Sequence, residues 1–142
     1  MKVIFLDVDG VLNSSSDGYS IKLRTDSHLI LLKYIVENTG ARIVLSSSWR
    51  IGITKASKNL LKRLGEYGLK IMDSTPVLPS SSCRGDEIRQ WLNYSNYVIE
   101  RFVILDDEDD MAEFTTTNLV RTNTNVGLQD KDSLECIRIL NS

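Results

Sequence analysis

Three short runs, Val3-Ile4-Phe5-Leu6, Arg42-Ile43-Val44-Leu45 and Phe102-Val103-Ile104-Leu105, are almost wholly apolar and each ends abruptly in a polar residue: Asp7, Ser46 and Asp106. Runs of this length with no polar alternation are strands buried on both faces, as in parallel sheets. The flanking segments carry helical spacing instead. Asp26–Asn38 reads as a helix capped by Thr25 or Ser27 and stopped by Gly40. Ile53, Ala56, Leu60 and Leu64 recur on one helical face, with Gly65 or Gly68 as the stop, and Ile88, Trp91 and Leu92 mark a helix opening near Arg84. Shorter strands at Leu69–Met72 and Leu119–Arg121, turn material at Thr75–Ser82 and a closing helix at Asp130–Leu140 complete the alternation. Strand after helix after strand predicts an α/β fold with right-handed crossovers and a mainly parallel sheet covered on both sides. There is no internal repeat and no long linker, so residues 1–142 read as one domain.

Parallel strands deliver their carboxyl ends to one rim, and ligands of open α/β sheets bind there. Asp7, Asp9, Ser46 and Asp106 therefore belong to one site although a hundred residues separate them. Asp7 and Asp9 are two apart and face the same way, and Gly10 lets the chain turn as it leaves the sheet. A calcium-loop reading fails, because Val11 and Gly18 stand where oxygen ligands are required. The run Asp106-Asp107-Glu108-Asp109-Asp110 would by itself be a solvated turn. Its place on the rim draws Asp106 and Asp107 into the site and leaves Glu108, Asp109 and Asp110 outside, Asp110 being the nearest to an exception. Carboxylates gathered this closely repel one another unless a hard cation joins them, and an oxygen-only set suits Mg²⁺.

Ser46-Ser47-Ser48 stands where a helix is about to start, so its hydroxyls and amides can cradle phosphate oxygens; simple capping is the alternative. Arg84 opens a helix against the preference of the helix dipole, which calls for an anionic partner; Lys55 and Lys58 compete for the same role. The single histidine, His28, lies in the first turn of the first helix, away from the rim. Trp49 is near the rim, whereas Trp91 has core spacing. The Arg84-Gly85-Asp86 tripeptide reads as chance.

The net charge of −2 and the pI near 5.4 give no general basic character for nucleic-acid binding, though a local patch stays open. Cys83 and Cys136 have neither zinc nor disulfide spacing and read as free thiols in a reducing cytoplasm, Cys136 as a core hydrophobe among Leu134, Ile137 and Leu140. No apolar stretch has the length of a signal peptide or a membrane span. GxSxG, GxGxxG and the P-loop pattern do not occur.

Taken in order, these residues resemble the haloacid dehalogenase (HAD) superfamily of phosphohydrolases. Asp7-Val8-Asp9-Gly10-Val11 is similar to the family's first motif, DxDx[TV]; Ser46 closing a buried strand is similar to the second; Arg84 stands where the third places Lys or Arg; Asp106-Asp107 resembles the fourth. The resemblance implies a Rossmann-like three-layer sandwich and a Mg²⁺-dependent phosphomonoesterase. In it Asp7 is the nucleophile that forms an aspartyl-phosphate, and Asp9 is general acid and then base, its backbone carbonyl also ligating the metal. Asp7, Asp106 and Asp107 complete the metal set, and Ser46, Ser47 and Arg84 hold the phosphoryl oxygens.

Many relatives insert a cap domain, but Asn13–Arg24 and Ser74–Cys83 are too short for one. An uncapped site admits large substrates such as nucleic-acid ends or phosphoproteins. VLSSSWR and NVGLQDKD are also similar to the small HAD domains of multifunctional RNA-repair proteins. Trp49, Arg50, Lys55 and Lys58 favour a nucleotide or polynucleotide end as substrate over a small-metabolite phosphate. Two other readings compete. One is a phosphate-binding regulatory module without turnover, against which an intact Asp7 and Asp9 argue. The other is a phosphotransfer receiver, whose acidic pair would follow the first strand rather than come late. Ser14-Ser15-Ser16-Asp17-Gly18 has the composition of a mobile flap.

Overall fold

The computed structural model describes all 142 residues. Five strands form one sheet: β1 (Lys2–Leu6), β2 (Arg42–Leu45), β3 (Ile71–Ser74), β4 (Arg101–Asp106) and β5 (Leu119–Arg121). The spatial order is β3-β2-β1-β4-β5, and every pairing is parallel. Helices α1 (Asp26–Thr39), α2 (Lys55–Glu66) and α3 (Arg84–Tyr94) fill the first three connections, a 3₁₀ turn (Ala112–Thr116) lies between β4 and β5, and α4 (Asp130–Leu140) closes the chain.

The strand pleat sorts the core into two layers. Ile4 and Leu6 of β1 pack with Leu29, Leu32 and Ile35 of α1, Leu60 and Leu64 of α2, and Cys136 and Leu140 of α4. Val3 and Phe5 face the other way, onto Ile88 and Trp91 of α3. The sheet is thus covered by three helices on one face and by α3 on the other, a Rossmann-like three-layer α/β sandwich. Cys136 is a buried part of the first layer, and burial pushes its thiol pKa up. His28 is also structural, its Nε2 meeting the Val126 carbonyl at 2.8 Å.

The third strand begins two residues later than its apolar run suggests. Gly68 takes a left-handed φ of 72° after α2, and Leu69 turns into the core before Ile71 pairs with Ile43. No cap domain interrupts the sheet: the β1–α1 connection holds one short 3₁₀ turn (Ser15–Asp17), and the β3–α3 connection has no regular element. No helix is long and apolar enough to cross a membrane.

Candidate functional site

β1 and β4 are neighbours in register, Leu6 beside Leu105, so the next residues, Asp7 and Asp106, emerge side by side at the carboxyl rim. Both are nearly inaccessible to solvent. Asp107 follows, and carboxylate oxygens of Asp7, Asp106 and Asp107 lie within 4.8 Å of one another. Gly10 makes room for this, since a side chain there would run into the Asp107 carboxylate, and its φ of 80° favours glycine as well. The Thr122 hydroxyl donates to the Gly10 carbonyl at 2.7 Å and fastens the turn to the β5 end.

Burial raises the pKa of Asp7, with Arg84 opposing. Burial also raises Asp106, and the Asp7 charge adds to the effect. Arg84, at the first turn of α3, reaches across with Nη1 3.2 Å from Asp106 Oδ2 and 3.5 Å from Asp7 Oδ1. Burial works against its charge, but the two carboxylates outweigh that and hold its pKa above the ordinary value. The anionic partners expected for Arg84 are therefore these two aspartates. Lys55 and Lys58 stand on α2 and do not line the cleft.

Arg84 is itself held in place. Asp110 accepts the Arg84 backbone N–H on its carboxylate at 3.3 Å and the Gly85 N–H on its carbonyl at 3.0 Å. Asp110 thus caps α3 and stands outside the carboxylate group. Glu87, one turn on, lies 3.7 Å from Arg84 Nε and 2.9 Å from Arg50 Nη2. Arg50 is buried, and its guanidinium donates to the carbonyls of Ser46, Ser47, Thr75 and Pro76. It fastens the loops after β2 and β3 together and is not a free cation at the rim.

Asp9 has a different environment. Its Oδ1 accepts from Asn13 Nδ2 at 2.9 Å and its Oδ2 from the Trp49 indole N–H at 3.1 Å. Its carboxylate is oriented from two sides and is not one of the three clustered carboxylates. Ser46 and Ser47 are buried beneath the cleft. The Ser47 hydroxyl accepts the Trp49 backbone N–H at 3.1 Å, while Ser46 Oγ has no hydrogen-bond partner in the protein.

The cleft above these residues measures about 360 Å³ and is lined by Asp7, Asp9, Tyr19, Ser48, Arg84, Asp106, Asp107 and Glu108. Ser48 belongs to the serine run read as a phosphate cradle, whereas Tyr19 is a wall residue that no motif singled out and Glu108, expected outside the site, lines it. Tyr19 sits at a φ of 52°, and its hydroxyl pairs with Thr124 Oγ1 at 2.8 Å. The segment around it, with its flap-like composition, is tied to residues 124–125 by Ser15 N to Thr124 O at 2.8 Å, Ser15 Oγ to Asn125 Oδ1 at 2.6 Å, and Ser16 to Asn125.

Five acids and one arginine line the cleft, an arrangement that repels phosphate unless a cation is added. The donor set is all oxygen and gathers on one side, which fits a hard divalent ion such as Mg²⁺. Ser46, fully buried with its hydroxyl unpartnered, does not itself line the cleft.

Residues 3–133 match the family model described as the HAD domain in Swiss Army Knife RNA repair proteins. A search of curated proteins gives no significant match. The match spans most of the chain, and the protein belongs to this HAD family, a family of phosphohydrolase type that typically uses Mg²⁺.

Proposed function

We propose that this member of the HAD domain family found in RNA-repair proteins is a Mg²⁺-dependent phosphomonoesterase working through an aspartyl-phosphate, with residues 1–142 acting as one domain. The observation that carries the reading is the convergence of Asp7, Asp106 and Asp107 beside an Asp9 whose carboxylate is separately oriented. Asp7, Asp106 and Asp107, with the Asp9 carbonyl, would hold Mg²⁺, which would supply positive charge against the phosphoryl oxygens.

Asp7 attacks phosphorus, a bond forms from its carboxylate oxygen, and the bond from phosphorus to the leaving oxygen breaks. Asp9 gives its proton to that oxygen. It then takes a proton from water, which attacks the aspartyl-phosphate; the phosphorus–Asp7 oxygen bond breaks and inorganic phosphate leaves. Arg84 and the Ser46 hydroxyl meet the charge that develops on the phosphoryl oxygens, and Ser47 supports the loop that presents Ser46. The substrate class favoured is a nucleotide or polynucleotide end, in keeping with the family description and the uncapped rim; a small-metabolite phosphate is the second choice. The free thiols Cys83 and Cys136 agree with a cytoplasmic setting.

The deciding experiment is phosphate release from p-nitrophenyl phosphate and from 3′- and 5′-phosphorylated oligonucleotides, with Mg²⁺ and with EDTA. Turnover that requires Mg²⁺ and falls by at least about 10⁴-fold in Asp7→Asn supports the reading. A folded, Mg²⁺-binding protein inert on every substrate points to a phosphate-binding module instead.

A further inference from the structure

The charges of this chain are segregated. From Asn38 to Gly65 there is no Asp or Glu, yet the stretch contains Arg42, Arg50, Lys55, Lys58, Lys62 and Arg63. Arg50 is paired with Glu87, and Arg63 with Asp26 and Glu66. Lys55, Lys58 and Lys62 are exposed, and none has an ion-pair partner. Spaced at i, i+3 and i+7, they form one stripe on α2, where like charges repel. Lys22 joins them, because its loop is fastened to the same helix: Asn59 Nδ2 donates to the Ile21 carbonyl at 2.8 Å and Arg63 Nε to the Leu23 carbonyl at 3.1 Å.

Beside the stripe lies an apolar cleft of about 290 Å³ whose walls include Trp49, Ile53 and Leu61, with Lys58 among its lining residues. Ile53, on the wall of this cleft, is 86% exposed and open to a ligand. Trp49 joins this cleft to the phosphatase site, its indole N–H on Asp9 and its side chain lining the cleft.

We infer that this surface carries a single strand of nucleic acid: terminal phosphate at Asp7, the adjoining base against Trp49 and Ile53, and the following phosphates along Lys22, Lys55 and Lys58. The inference rests on the phosphatase reading and specifies its substrate. Repeated cations beside an apolar cleft match a chain that repeats anions and bases; a phosphopeptide offers neither repeat. The acidic pI is no obstacle, since a large share of the acids lies in the stretch from Asp106 to Glu113, on the opposite side of β1 from α2 and β2. A cleft that takes one unstacked base favours a single strand over a duplex.

The test is fluorescence anisotropy on Asp7→Asn, which cannot turn over, with Mg²⁺ and a labelled strand of about ten nucleotides bearing a terminal phosphate. Three phosphate contacts on a single strand predict about a twenty-fold loss of affinity between roughly 50 and 200 mM salt. Adding Lys22→Gln, Lys55→Gln and Lys58→Gln should remove most of that salt dependence, with circular dichroism melts confirming the fold; Ile53→Asp alone should weaken the strand at every salt concentration. Unchanged affinity and salt slope in the triple lysine variant would overturn the proposal, as would a phosphopeptide that binds as tightly as the strand. Lysine-dependent strand binding by a protein that releases phosphate from nothing leaves the surface standing and removes the phosphatase reading. Phosphate release from p-nitrophenyl phosphate with no lysine-dependent strand binding does the reverse.

Discussion

Arg50 Nη2 lies 2.9 Å from Glu87, and the same Glu87 carboxylate oxygen faces Arg84 Nε at 3.7 Å. One buried arginine thereby couples the loop that carries Ser46 to the arginine that faces Asp7. Removing Arg50 leaves Glu87 with only the more distant Arg84 as counter-ion and takes the donor from four loop carbonyls, a large penalty for buried polar groups. Arg50→Met is expected to lower unfolding free energy by about 3 kcal/mol, read by urea denaturation. Glu87→Gln keeps the shape and should lower kcat more than it raises KM, since Arg84 would lose the partner that aims it. A Glu87→Gln variant with parental kcat would show that Arg84 needs no such support.

The bond from Trp49 to Asp9 gives a second prediction. Trp49→Phe keeps an aromatic ring and deletes one donor to a carboxylate, an interaction of about 1.5–3 kcal/mol. If that orientation matters for proton transfer, kcat/KM should fall about 10- to 100-fold, and the lost bond should also lower the melting temperature by roughly 5 °C or more. Asn13→Ala removes the other donor and should act in the same direction. Parental kinetics in both variants would show that Asp9 needs neither donor to be positioned.

The three central strands were legible in the sequence because they are apolar runs, and the rim because parallel strands place their ends together, whereas β3, half polar as Ile71-Met72-Asp73-Ser74, was displaced by two residues. Asp7, Asp106 and Asp107 meet for that reason alone. Arg50 was not legible: beside a tryptophan it reads as a rim cation, and its burial depends on four carbonyls from two loops that only the folded sheet brings together. Asp110 likewise looks like one more acid in a run, and only the docking of α3 turns it into a cap. Tyr19 follows a serine-rich stretch whose composition says flexibility, and its fixing bonds come from residues a hundred positions away.

Gly85 offers a third prediction. A side chain there would collide with the Met111 backbone, because the first turn of α3 is pressed against that segment. The collision is with main chain, which cannot swing aside. Gly85→Ala should therefore push the α3 start and Arg84 outward, costing about 1–3 kcal/mol of stability. Phosphate release should fall with it, whereas binding of Mg²⁺, which uses β1 and β4, should persist in isothermal titration. Equal stability in Gly85→Ala would mean that α3 can shift without cost.

The buried carboxyls predict an unusual pH response. Burial raises both Asp7 and Asp106 above their ordinary range near 4. In the absence of a divalent cation the folded protein then binds more protons than the unfolded chain, so its stability must fall as pH rises above about 4. This is opposite to the usual behaviour of salt-bridged aspartates. In EDTA the melting temperature should drop by roughly 5 °C or more between about pH 5 and about pH 8. On the proposed reading Mg²⁺ replaces the proton as the group that neutralises the cluster, so its stabilising effect should be small at the acid end and grow with pH, and its binding should release protons. Calorimetric scans with and without Mg²⁺ across that range read both trends. A melting temperature that rises with pH in EDTA would show that the Asp7–Asp106 pair ionises freely, and that Arg84 alone is enough to hold it.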